Sequence, residues 1–188
     1  MYEIKKRSIY LQQEKNRLMV IRMDLSLVKA SAPYPTLQVT GKNERYAALL
    51  SQDFASSRGE MTAIYQYMYQ NWLTINYDDE LAQLLMNIAE VEMMHLDILG
   101  KMIVLLGGNP KCQAVQQNQW IFWSGNMVNY NREKKKMLLY NIALEQYAVD
   151  TYTTHAKIIQ DPYVSALLLR IVEDEKLHVH LFRDYLNK

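Results

Sequence analysis

Glu92-Met93-Met94-His95 lies in the middle of a long apolar stretch, residues 81–106, and decides how the chain folds. At helical spacing, this stretch places apolar side chains on one face, with one carboxylate and one imidazole among them. The positions of this face are Leu81, Leu85, Ile88, Glu92, His95, Leu99, Met102 and Leu106. A buried charge is costly unless a partner neutralises it. The helix is therefore predicted to point two polar groups into a core where something balances their charge.

The same pattern recurs near the C-terminus, where Glu175-Lys176-Leu177-His178 interrupts a second apolar face. The rest of that face is Val164, Leu168, Ile171, Phe182 and Tyr185. Residues three apart lie on one side of a helix, so the Glu and the His of each pair can bind one cation together. One such pair arises often by chance on a solvated face, but two pairs on apolar faces indicate a shared site.

Two further glutamates, Glu60 and Glu145, lie on the apolar faces of two other predicted helices. The midpoint of positions 60 and 92 is 76, inside a predicted turn, and the midpoint of 145 and 175 is 160, beside Asp161-Pro162. Residues equidistant from the turn of a helical hairpin lie at the same height. Tyr67 and Tyr152 each follow their glutamate by seven positions, which indicates an internal duplication.

Four carboxylates that meet in one core cannot all stay ionised without a counter-charge, and two divalent cations would balance them. Glu92 and Glu175 are expected to bridge both metals. Glu60 with His95 would complete one metal, and Glu145 with His178 the other. The alternative, a set of salt bridges, is disfavoured because no Lys or Arg lies beside these glutamates on their faces. Iron and manganese both suit such ligands, so the sequence does not choose between them.

The predicted fold is all-α, a four-helix bundle with a long crossover between helices 2 and 3. The first helix is predicted over 44–74, with Asn43 as its N-cap, and the third over 131–160. The connection at about 109–128 is long enough to make helices 2 and 3 parallel. Residues 1–42 are predicted to be an N-terminal extension and linker, and 43–188 the bundle. The basic residues 1–30 would be either partly helical and packed on the body or a partner, or a mobile tail.

Composition narrows the classes of function. Lys and Arg number 21 against 20 Asp and Glu, and this balance gives no support for binding nucleic acid. The apolar runs are too short to span a membrane, and no secretion signal is visible, so a cytoplasmic location is expected. A single cysteine, Cys112, excludes an internal disulfide and any Cys-x-x-Cys module within this sequence.

Over about residues 43–186 the chain resembles the ferritin-like superfamily. The stretch 60–67 is similar to the first-helix motif of bacterioferritins, and 92–95, running on to Gly107-Gly108-Asn109-Pro110, to their second helix and its end. Residues 32–35 and the Trp-rich connection resemble compact clostridial and bacillar proteins described as manganese-catalase-like or spore-coat-associated. Only ten residues follow His178, where bacterioferritins have a fifth helix, which disfavours a storage cage. Met93 falls where bacterioferritins place a haem-ligating Met, although packing is the commoner role of a helical Met.

The resemblance implies two iron or two manganese ions and an oxidoreductase that acts on hydrogen peroxide or dioxygen. Because the chain shows no built-in electron relay, catalase-like or peroxidase activity is preferred. The alternatives are a ferroxidase that stores iron and a structural, spore-coat-type protein. A homodimer or higher homo-oligomer is expected. Tyr67 and Tyr152 are the candidate catalytic residues, either bonded to the carboxylates or active in electron transfer, with ordinary core packing as the alternative.

Several polar residues receive weaker assignments. Asp53 is predicted to support the ligands or to lie at the rim of the site. Asp97 and Asp174 could orient the histidines but fit solvated faces better, and His155 and His180 are predicted to lie on the surface. The aromatic cluster of Trp120, Phe122 and Trp123 is expected to seal the bundle or a dimer contact.

Overall fold

The computed structural model describes residues 25–188, and the expectations for 1–24 lie outside the described residues. The α-helices of the described part are α1 (Glu44–Ala55), α2 (Glu60–Thr74), α3 (Asp79–Leu105), α4 (Lys134–Ile158) and α5 (Pro162–Leu186). Two short strands, β1 (Gln113–Gln116) and β2 (Gln119–Phe122), form an antiparallel hairpin between α3 and α4. Helix α2 packs on α3 and α4 packs on α5, and α1 packs mainly on β1 and α3. The predicted all-α bundle is confirmed.

The first helix is broken, which corrects the prediction of one helix over 44–74. It stops at Ala55 and restarts at Glu60, and residues 56–59 have no helical conformation. At Gly59 a Cβ atom would lie 2.3 Å from the carbonyl oxygen of Asp53, so only glycine allows the two segments to approach this closely. The second segment starts directly at Glu60.

Local sequence signals set the helix ends. The Asn43 side chain accepts a hydrogen bond from the Tyr46 amide at 3.1 Å, which confirms its predicted role as N-cap of α1. Asp161 caps α5 by accepting from the Tyr163 amide at 3.0 Å, and Pro162 occupies the first turn as predicted. Helix α4 begins at Lys134, three positions later than predicted.

Residues 28–34 contact the bundle closely. Val28 is buried, and the carbonyl oxygens of Ala30 and Ala32 accept hydrogen bonds from Arg170 on α5 at 2.7 and 2.6 Å. The ring of Tyr34 stacks against the same guanidinium, whose central carbon lies 4.3 Å from the ring centroid. We call residues 28–34 the N-terminal strap. The division of the chain at residue 42 stays a prediction, but the strap is part of the packed structure.

Apolar side chains of the described residues pack on both sides of a polar layer. One cluster contains Leu50, Met102 and Leu168, and the other contains Leu85, Leu138 and Phe182. Between them, Glu92 and His95 are fully buried on α3, and His178 on α5. No helix within residues 25–188 is both long and apolar enough to cross a bilayer.

Candidate metal centre

Two carboxylates approach the Nδ1 atom of His95 within hydrogen-bonding distance. Glu92 Oε2 lies 2.7 Å from it and Glu175 Oε1 lies 3.0 Å from it. The nearest oxygen of Glu60, Oε1, is 3.7 Å away. These four side chains come from α2, α3 and α5, and each can offer one ligand atom within 4.8 Å of the others.

A matching group surrounds the Nδ1 atom of His178. Glu92 Oε1 lies 2.9 Å from it, Glu175 Oε2 3.5 Å and Glu145 Oε2 3.6 Å. The potential ligand atoms of this group also lie within 4.8 Å of one another. All six residues predicted as ligands are therefore brought together, in the two sets that the sequence indicated.

Glu92 and Glu175 belong to both groups and divide their oxygens between them. Glu92 directs Oε2 to His95 and Oε1 to His178, and Glu175 directs Oε1 to His95 and Oε2 to His178. A carboxylate that places one oxygen in each of two neighbouring sites has the geometry of a bridging ligand. This division is the strongest structural support for two cations held side by side.

The far side of each imidazole is fixed by a hydrogen bond. His95 Nε2 lies 3.1 Å from Asp174 Oδ2, and His178 Nε2 lies 2.8 Å from the carbonyl oxygen of Val28. A proton on Nε2 satisfies both contacts. In the metal-free centre, burial lowers the pKa of both imidazoles, but the carboxylates outweigh it and raise the pKa well above the ordinary value, so Nδ1 is protonated as well. A bound cation would displace that proton and take the Nδ1 lone pair. The two halves differ here, because Val91 occupies the place before Glu92 that Asp174 occupies before Glu175. The strap supplies the missing acceptor.

Asp174 is completely buried, which corrects its assignment to a solvated face. It accepts hydrogen bonds from the Ala30 amide at 2.6 Å and the Tyr34 hydroxyl at 2.5 Å, and it pairs with Arg170 at 2.8 Å. Burial alone would raise the pKa of Asp174, but His95, Tyr34 and Arg170 hold it well below the ordinary value. The strap and α5 thus hold an ionised carboxylate against His95.

Tyr67 and Tyr152 connect the two halves of the bundle, the hairpin of α2 and α3 and the hairpin of α4 and α5. The Tyr67 hydroxyl donates to Glu145, and the Tyr152 hydroxyl donates to Glu60. Each tyrosine lies seven positions after one glutamate and bonds the glutamate of the opposite half. The expected contact between these tyrosines and the carboxylates is therefore present, and it fixes the two glutamates that belong to one group each.

The donor atoms fit a pair of divalent cations. Within residues 25–188, Glu92 Oε1, Glu175 Oε1 and His178 Nδ1 are buried and lie close to other polar atoms of the centre, but none of the three makes a hydrogen bond of good geometry. Burial raises the pKa of Glu145 to about 8, with Glu175 adding to the shift, and burial together with Glu92 raises the pKa of Glu60 well above its ordinary value. Carboxylates held this way need positive charge, and imidazole and carboxylate ligands suit iron and manganese.

We expect metal binding to release protons and to tighten as pH rises. Below a pH of about 8, Glu145 holds a proton that a cation must displace. Each displaced proton changes the affinity about tenfold per pH unit below its pKa. Glu60, His95 and His178 also have raised pKa values, so binding strengthens as the pH rises from 6 to 8. Titration calorimetry of Mn²⁺ into metal-free protein, in buffers of different ionisation enthalpy, measures the proton count. An affinity that is constant from pH 6 to 8 would contradict this arrangement.

A cavity of about 380 Å³ reaches the centre from the side of the helix break. Its wall includes Glu60, Glu145 and Glu175, so a molecule in it meets three of the carboxylates. At its rim, the Arg58 guanidinium stacks on the Tyr147 ring, 4.7 Å from the centroid. The break at residues 56–59 therefore creates an approach to the buried carboxylates.

His155 is buried, and its predicted surface position is wrong. Its Nδ1 atom lies 2.8 Å from Asp53 Oδ2, and both side chains are almost inaccessible. The prediction failed because it considered only the distance of His155 from Glu145 along α4, whereas the partner comes from α1. Spacing along one helix gives no signal for such a pair.

The remaining assignments have mixed outcomes. His180 is exposed and pairs with Asp184 at 3.2 Å, as expected for a surface residue. Asp97 is likewise exposed, beside Lys101. Trp123 donates to the Thr62 hydroxyl at 3.0 Å, whereas half or more of the surface of Trp120 and of Phe122 is exposed. The haem expectation attached to Met93 stays a prediction.

Comparison with known proteins finds two matches in sequence. The model of the family "Manganese containing catalase" matches residues 34–122. A relative from Clostridium acetobutylicum, described as a probable manganese catalase, is 27% identical over 170 residues, which cover 81% of this chain and 75% of that protein.

Solved structures show the same fold. The crystal structure of a manganese catalase from Anabaena superposes with a TM-score of 0.75 at 24% identity and covers 84% of this chain and 78% of its own. The bacterioferritin of Desulfovibrio desulfuricans gives a TM-score of 0.60 at 24% identity, with 79% of this chain and 84% of that chain covered. These likenesses extend across most of the bundle.

Proposed function

We propose that this chain is a member of the ferritin-like di-metal carboxylate superfamily and that it is a dimanganese catalase, which converts hydrogen peroxide to water and dioxygen. The observation that carries the proposal is the division of the Glu92 and Glu175 oxygens between His95 and His178. The match to manganese catalases favours manganese over iron.

The proposed roles of the six ligands follow from their positions. Glu92 and Glu175 would be shared between the two ions, Glu60 and His95 would complete one site, and Glu145 and His178 would complete the other. A pair of manganese ions bound there would supply a store for two electrons. Tyr67 and Tyr152 act by holding Glu145 and Glu60 in place, and Asp174 and the Val28 carbonyl hold the two imidazoles.

The surroundings of the centre support a small substrate. The cavity meets the carboxylates in a wall that combines polar residues with the rings of Tyr147 and Tyr152. Peroxide can act as both oxidant and reductant, so its disproportionation needs no external electron donor. The sequence is consistent with this reaction, because its single cysteine cannot form a dithiol that would carry electrons to the centre.

The test is oxygen evolution by protein loaded with manganese. We expect about one molecule of O₂ for every two of peroxide consumed, with turnover lost on chelation and restored by Mn²⁺ but not by Zn²⁺, which has no redox chemistry. An electrode trace of dissolved oxygen together with elemental analysis gives the result. Consumption of peroxide without oxygen would indicate a peroxidase, and no consumption would disprove the proposal.

The alternatives predict other outcomes in the same preparation. A ferroxidase that stores iron would take up many irons per chain in a hollow assembly, and a structural coat protein would contain no redox-active pair. We expect a homo-oligomer with two metals per chain, which light scattering with metal analysis distinguishes from both.

A further inference from the structure

We propose that Asp53 and His155 form an acid–base dyad that exchanges protons with the substrate in the cavity beside the metal centre. The inference rests on the proposed catalase function and adds two residues that are not ligands. Asp53 is on α1, seven positions before Glu60, and His155 is on α4, ten positions after Glu145.

The position of the dyad suits this role. Asp53 lies in the wall of the cavity, and its side chain is only 2% exposed. Behind it, 2.8 Å away, the His155 side chain is 8% exposed and so keeps a narrow edge in contact with solvent. The pair therefore places one titratable group in the cavity wall and a second directly behind it.

The other groups around the cavity are less suited to moving protons. The titratable and charged residues in its wall besides Asp53 are Arg58, Glu60, Glu145, Tyr147, Tyr152 and Glu175. Arg58 keeps its proton at any working pH. Burial raises the pKa of Tyr152, and the Glu60 and Asp53 carboxylates beside it raise it further, so this hydroxyl keeps its proton too. The three glutamates are assigned to the metals.

The reaction moves protons as well as electrons. One peroxide loses two electrons and two protons to become O₂, and the other gains two electrons and two protons as its O–O bond breaks to give two waters. The electrons balance between the two peroxide molecules, but the protons must be kept or exchanged between the two halves of the cycle. Asp53 takes up a proton released by the first peroxide and returns it to the second, with His155 as its hydrogen-bonded partner. Burial raises the pKa of Asp53, although His155 opposes the shift, which brings the carboxyl closer to neutral pH.

The decisive variant is Asp53→Asn, which keeps the shape and a hydrogen bond to His155 but cannot exchange a proton. We expect kcat to fall about a hundredfold, the magnitude typical of a lost general acid or base, with KM, metal content and melting temperature unchanged. His155→Gln should slow turnover and change its pH profile. In Asp53→Ala, added formate should restore part of kcat. In the metal-free form of that variant, formate should also shift the NMR signals of the His155 ring, a readout independent of activity.

The matched control is the exposed pair on α5, His180 with Asp184. His180→Gln and Asp184→Asn should leave kcat and its pH profile unchanged. If wild-type protein evolves oxygen and Asp53→Asn does so equally well, the dyad is wrong and the catalase proposal stands. If the loss of activity in Asp53→Asn follows a loss of metal or of melting temperature, the pair is only a structural tie and the inference is also wrong. Wild-type protein that evolves no oxygen removes both proposals.

Discussion

Replacing Glu92 or Glu175 by alanine is expected to abolish binding of both metal ions while the helices remain folded. Each glutamate contributes one oxygen to each site, so either substitution removes a ligand from both. Loss of one buried carboxylate also relieves repulsion in the metal-free centre, where Glu60 and Glu145 already have raised pKa values. Elemental analysis after dialysis against Mn²⁺ gives the metal count, and circular dichroism shows whether the helices persist.

Glu173→Ala provides the matched control on the same helix, because its side chain is exposed and pairs only with nearby Lys176 among the described contacts. It should retain two metals per chain. Retention of two metals in both Glu92→Ala and Glu175→Ala would falsify the bridging assignment. Loss of a single metal would show that each glutamate serves one site.

The second large effect is expected from Asp174→Ala, in the stability of the metal-free protein. This substitution leaves the Arg170 guanidinium buried without its carboxylate and removes the acceptor of the Ala30 amide and the Tyr34 hydroxyl. Breaking a buried, hydrogen-bonded ion pair costs about 3–5 kcal/mol. At roughly 2–4 °C per kcal/mol for a chain of this size, the melting temperature should fall by roughly 10 °C.

Calorimetry of the whole chain measures the melting temperature, and Asp184→Ala is the control at an exposed position. Acid should have the same effect on wild-type protein. The pKa of Asp174 is depressed in the folded state, so its stabilisation is present above the ordinary Asp pKa of about 4 and is lost as pH falls through the lower folded value. A melting temperature within two degrees of wild type in Asp174→Ala would show that the strap is held by other contacts.

The convergence of the six ligands could be predicted from sequence because it depends on two local signals. Apolar periodicity placed each group on a helix face, and the turns at 75–78 and 159–161 fell at the midpoints of the glutamate pairs. Once two hairpins have their turns at those positions, the glutamates must lie level with each other. The tyrosines followed from the same duplication.

The parts that sequence reasoning missed depend on contacts between distant segments. The helix break was hidden because Asp53, Ser57 and Glu60 continue the helical spacing, while the need for Gly59 arises only from its approach to the Asp53 carbonyl. Ser56-Ser57-Arg58-Gly59 was a visible breaker signal that periodicity outweighed. The buried state of Asp174 required the strap, which no pattern connects to α5.

The order in which the chain is made has a consequence for which ion it acquires. His178 bonds Val28 across 150 positions, and His95 meets Asp174 across 79. A nascent chain that has completed only its first hairpin offers a cation one imidazole and two glutamates, with the second bridge still unsynthesised. Capture of the pair must therefore wait until α5 has been translated and docked. Since carboxylate–imidazole sites discriminate weakly between manganese and iron, we expect the supply of each metal where the chain folds to determine which one is installed.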